Sequence, residues 1–60
     1  MKINGKDIVS ANYNDAKKQY EFYDMGGGQV AVIKSKRLKL PMSNHGKAWE
    51  ILERTFGDPV

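Results

Sequence analysis

Four cationic side chains, Lys34, Lys36, Arg37 and Lys39, fall within six consecutive positions, and no acid interrupts them. Lysine and arginine in such a run neutralise phosphate oxygens and release condensed counterions, so the chemistry they suggest is contact with a nucleic-acid backbone. A β-ribbon is one established way for such residues to reach a groove. Two other uses of the same run compete with this one. Exposed lysines protect an edge strand from pairing with other chains, and a Lys/Arg-rich run also serves as a localisation signal, a pattern of low specificity. Lys17 and Lys18 are further candidates for phosphate contact. Among the tyrosines near them, Tyr20 is needed for the core, which leaves Tyr23 and Tyr13 as rings on which bases could stack. Strand propensity and cross-strand packing explain the same tyrosines without a ligand.

The remaining chemistry-bearing residues do not assemble into a catalyst. With no cysteine in the chain, disulfides and thiolate metal sites are excluded, and a single histidine, His45, cannot build an imidazole cluster. No serine or cysteine nucleophile accompanies His45 in a recognisable arrangement. Glu50 and Glu53 are one helical turn apart, which surface charge accounts for. Gly26-Gly27-Gly28 leads into a strand rather than a helix and completes neither phosphate-loop pattern, so a hairpin turn is its expected use. A non-enzymatic protein without cofactor or metal is the expectation.

Placing the charges sharpens this picture. Residues 1–33 balance, residues 34–40 hold four cations and no anion, and residues 41–60 leave one net negative charge. The net charge of +3 therefore comes from one short segment. Sixty residues make one small domain, spanning 1–60, near the lower limit for folding unaided. Such a chain buries roughly 60 % of its unfolded surface, and a homodimer is one way to add to that. No apolar run approaches the roughly 20 residues of a membrane span. The first residues lack the apolar core of a signal peptide, so a cytoplasmic protein with no membrane partner is expected.

The elements that must position these residues follow from periodicity. Asn4-Gly5 suits the two left-handed positions of a type I′ hairpin turn and sets Lys2 opposite Asp7 and Met1 opposite Ile8. Residues 8–13 read as a second strand, 14–17 as a turn, and 18–25 as a third, aromatic strand. A four-residue loop at 14–17 pairs Tyr13 with Lys18, Ala11 with Tyr20 and Val9 with Phe22. Val9, Ala11, Tyr20 and Phe22 then share the core face, while Ile8, Ser10, Asn12, Gln19, Glu21 and Tyr23 form a largely polar face. A fourth strand at 29–34 turns Val30 and Val32 inward, bends near Ser35, and continues as an extended piece at 37–40. Pro41, which has no N–H to donate, ends pairing there.

Ser43 or Asn44 caps a helix running to about Phe56, with Gly57 at C′ and Pro59 as the stop. Trp49, Leu52 and Phe56 stand at i, i+3 and i+7 and form its apolar stripe. They are expected to cover Val9, Tyr20, Phe22, Val30 and Val32, and loss of Trp49 to unfold the domain. The exposed face of the helix mixes Lys47 and Arg54 with Glu50 and Glu53, so phosphate would meet repulsion there and the strands are the binding elements.

The fold class is α+β: a three- to four-stranded antiparallel β-sheet packed against one C-terminal α-helix. A small, partly open β-barrel plus helix is the alternative, if the bend at Ser35 folds the last strand across the sheet. The function expected is a small basic nucleic-acid-binding protein that contacts phosphate through Lys34, Lys36, Arg37 and Lys39, with Lys17, Lys18 and Tyr23 adding to the surface. The alternative is a protein-binding inhibitor or adaptor that docks on an acidic protein partner.

Overall fold

A type I′ turn opens the chain, and the computed structural model, which describes residues 1–59, places it as its sequence requires. Asn4 and Gly5 take φ of 53° and 78°. They join strand β1 (Lys2–Ile3) to β2 (Lys6–Asp7), with Lys2 opposite Asp7. The Ile8 N–H donates to the Met1 carbonyl at 2.8 Å, which sets Met1 opposite Ile8 as expected.

The strand expected over residues 8–13 is broken. The β1–β2 ladder ends at Asp7 and the next strand is β3 (Ser10–Asn14), so β1–β2 is a two-stranded sheet of its own. The break resets the alternation: Ile8 is buried at 2 % exposure and Val9 is half exposed at 50 %, the reverse of the expected faces. With Ile8 turned inward, Ile3 follows, and the N-terminal hairpin joins the core.

The second sheet is antiparallel throughout, in the order β3, β4 (Gln19–Tyr23), β5 (Gln29–Lys34), and it does not close into a barrel. Its β3–β4 register differs by two residues from the expected one, pairing Tyr13 with Tyr20 and Ala11 with Phe22. The cause is local. Asn14 Oδ1 accepts the Lys17 N–H at 3.1 Å, which starts the turn one residue later, and Lys18 takes the left-handed φ of 53° that ends it. A slip of two preserves faces, so Ala11, Tyr20 and Phe22 still point inward together.

At the β4–β5 turn the Asp24 carboxylate accepts the Gly28 N–H at 2.9 Å, and Gly27 supplies the one left-handed conformation, φ 81°. A bulge at Phe22/Tyr23 follows. It inverts the expected facing of β5: Ala31 and Ile33 lie opposite Phe22 and Tyr20 and pack on the core, while Val32 lies opposite Glu21 and is 43 % exposed. Val30, beside the bulge, still packs inward as expected. An all-apolar run carries no alternation of its own, so the bulge decided the phase.

Residues 35–41 form no ladder. Instead the Leu38 N–H donates to the Tyr20 hydroxyl at 2.6 Å, and Leu38 and Leu40 pack on the core while Lys36, Arg37 and Lys39 stay exposed. Helix α1 (His45–Phe56) then covers the sheet. Asn44 is its N-cap, its side chain accepting the Lys47 N–H at 3.0 Å. The core consists of Ile3, Ile8, Tyr20, Phe22 and Leu52, and Phe56 lies with its ring centroid 5.1 Å from that of Tyr20 and 5.8 Å from that of Phe22. Trp49 is only half-buried, so Leu52 rather than Trp49 anchors the helix. Asp58 ties the end of the helical segment to the start of the chain. Its N–H donates to the Lys2 carbonyl at 2.7 Å, and its carboxylate accepts the N–H groups of Asn4 and Gly5, each at 2.9 Å.

Candidate nucleic-acid interface

Two segments that carry the cations, the β3–β4 loop and the chain leaving β5, meet at one end of the three-stranded sheet. Lys34 closes β5 opposite Gln19, and the Ser35 N–H donates to the Lys18 carbonyl at 3.1 Å. The Tyr13 hydroxyl donates to the Ser35 carbonyl at 3.3 Å, which fixes the segment against β3 as well. Lys17, Lys18, Lys34, Lys36 and Arg37 are thereby gathered, all exposed. Lys39 continues the row, kept outward because Leu38 and Leu40 on either side turn to the core.

Arg37 is the most restrained of these groups. Its guanidinium stands 5.7 Å from the Tyr13 ring centroid and 3.7 Å from the Asp15 carboxylate. Both partners of that ion pair are largely exposed, so water screens it and leaves most of the Arg37 charge available. Among the described residues it is the one ion pair, and none of them supplies a carboxylate partner to the five lysines of the cluster. A cation cluster of this kind repels itself and attracts an extended anion.

The face of the sheet turned away from α1 adjoins this end. Alternation from the inward Ala11, Tyr13, Tyr20 and Phe22 places Asn12, Asn14, Gln19, Glu21, Tyr23 and Lys34 on it. Near its middle the Glu21 carboxylate is held by three donors: Gln19 Nε2 at 2.7 Å, the Tyr23 hydroxyl at 3.3 Å and Asn14 Nδ2 at 3.4 Å. The Gln19 hydrogen bond is the largest influence on the Glu21 carboxyl and holds it below its ordinary range, against the opposing effect of partial burial. Burial, followed by the Glu21 charge, raises the Tyr23 hydroxyl above its ordinary range, so Tyr23 remains a donor.

Tyr23 therefore lies apart from the cations, opposite Ser10 at the far end of β4 and separated from the cationic end by Glu21. The carboxylate network had a visible trace in the sequence, since Gln19, Glu21 and Tyr23 alternate along one strand. What period could not show is that their side chains converge. Asp15, the partner of Arg37, had no such trace, because twenty-one residues and a sheet separate the two. Among the described residues no three His, Asp or Glu side chains gather to hold a metal ion. Fold and surface define a small α+β protein with one cationic end and one polar sheet face. No protein-family model matches the chain, and no curated protein or solved structure matches it significantly.

Proposed function

We propose that this is a non-enzymatic nucleic-acid-binding protein, whose cationic end takes the phosphate backbone. The observation that supports this reading is the convergence of Lys17 and Lys18 with Lys34, Lys36 and Arg37, joined by the Ser35–Lys18 hydrogen bond. Nothing in the packing of the core asks for five exposed cations at one place. Lys39 extends the surface along the same segment, and Tyr23 offers an aromatic ring at the other end of the sheet.

The test is a titration of isotope-labelled protein with short single- and double-stranded oligonucleotides at two salt concentrations. Shifts are expected at residues 17–18 and 34–39. With five phosphates neutralised, affinity for a single strand should fall about 100-fold between 50 and 200 mM salt. Absence of binding at 50 mM salt would overturn the reading.

A second reading, an inhibitor or adaptor docked on an acidic protein partner, is favoured by a separate observation. β5 is the last strand of its sheet, and its outer backbone groups lie beside Lys34. An extended acidic segment could add to that edge. Shifts confined to residues 29–34 on adding an acidic peptide, with none on adding oligonucleotide, would replace the first reading with this one.

A further inference from the structure

The cationic end and the polar sheet face are continuous surfaces of opposite character. Lys34, at the junction, is paired with Gln19, and Gln19 in turn donates to Glu21. Resting on the nucleic-acid reading above, we infer that this face binds unpaired bases of a single strand, with the Glu21 carboxylate accepting from exocyclic amino groups and selecting cytosine over thymine.

Three features of the face carry the argument. The first is exclusion of phosphate. A carboxylate in the middle of the sheet repels a phosphate backbone, so the backbone must keep to the cationic end while something else covers the strands. A duplex presents its phosphates outward and would lay them across Glu21, whereas an unpaired strand turns its bases to the protein.

The second is the chemistry of the acceptor. Glu21 is ionised at neutral pH and donates nothing, and its donors Gln19, Asn14 and Tyr23 fix it in place. Gln19 is itself 7 % exposed, so this support is held by its surroundings rather than by solvent. Only one donor reaches Glu21 Oε1, the weakly placed Tyr23 hydroxyl at 3.3 Å, which leaves this oxygen with acceptor capacity to spare. The N4 amino group of cytosine is a donor that suits a carboxylate, whereas O4 of thymine, an acceptor, would face the carboxylate without a proton between them.

The third is dimension. β4 spans five residues from Gln19 to Tyr23, so the Tyr23 ring stands about 13 Å from the Lys34 end. Three strands of this length provide a platform for two or three unpaired bases, with an aromatic ring at its far end for stacking.

The test compares decamers of deoxycytidine and deoxythymidine, and a ten-base-pair duplex, by fluorescence anisotropy at pH 7.5 and 50 mM salt. The wild-type protein should bind the cytosine strand about tenfold more tightly than the thymine strand. The duplex should bind more weakly than the cytosine strand. Glu21→Gln, whose amide both donates and accepts, should bring the two strands within about twofold of each other. Tyr23→Leu, which removes the stacking ring and one of the donors that hold Glu21, should weaken binding of both strands. Circular dichroism melts confirm that each variant is folded under the assay conditions. Equal binding of both strands by the wild-type protein would overturn the inference, as would a preference that survives Glu21→Gln. If that equal binding is steeply salt-dependent, the phosphate reading survives alone. If no oligonucleotide binds, both fall.

Discussion

Asp58 shows how much a single exposed carboxylate can organise in a chain of this size. It accepts the backbone N–H groups of Gly5 and Asn4, and these hydrogen bonds, that of Gly5 first, hold its carboxyl below its ordinary value of 3.8. A carboxylate whose folded-state pKa is depressed contributes stability that is fully present above its unfolded value and is lost as pH falls through the folded one. Asp58→Asn should therefore lower the melting midpoint at pH 7, and the difference from wild type should shrink as pH falls below the ordinary carboxylate range in parallel circular dichroism melts. Gly57 makes a different point. It ends α1 at φ −67°, a conformation open to any residue, so the left-handed role expected at C′ is not its reason for being glycine. A Cβ at this position would run into the Glu53 carbonyl oxygen, which already accepts the Gly57 N–H at 2.7 Å. Gly57→Ala should cost about 1–3 kcal/mol in urea denaturation, because the clash is with backbone that cannot step aside. Composition and turn chemistry predicted a glycine at the end of this helix, but its physical cause is a contact that only the folded chain makes.

At the scale of elements, the helix and the first hairpin were legible and the middle strands were less so. The Asn4-Gly5 turn and the Trp49, Leu52, Phe56 stripe are local signals, fixed by φ preference and by a 3.6-residue period. Nothing far away is needed to read them. The break at Ile8–Val9 and the bulge at Phe22/Tyr23 left no such signal, and each reversed the facing of its neighbours. The packing order within α1 has a measurable consequence. Leu52 is buried and Trp49 half-buried, so Leu52→Ala should cost about 2–5 kcal/mol, more than Trp49→Ala. Sixty residues carry a net stability on the order of 3–9 kcal/mol, so the Leu52 variant should be substantially unfolded at 37 °C. The Trp49 variant should retain a cooperative melt. Far-ultraviolet circular dichroism against temperature separates the two outcomes.

For the whole molecule, function rests on where the charges meet. Charge reversal at Lys36, which has no ion-pair partner among the described residues, should weaken oligonucleotide binding about tenfold at 50 mM salt and reduce the salt slope, while leaving the melting midpoint unchanged. The same reversal at Arg37 should also lower the melting midpoint slightly, because Arg37 lies over the Tyr13 ring. Anisotropy and melting measured on the same samples distinguish the two positions. The sequence by itself determined the fold class, the hairpin, the helix with a cap at Ser43 or Asn44, and the surplus of charge in residues 34–40, since each depends on composition or on a short period. Only the tertiary structure decided that Lys17 and Lys18 join that surplus, that Ile3 and Ile8 complete the core, and that Glu21 gathers three donors on the outer face. The physical reason is that strand register and facing are set by a turn hydrogen bond and a single bulge. A displacement of two residues there reassigns every partner along the strand, and a displacement of one also turns every side chain to the other face.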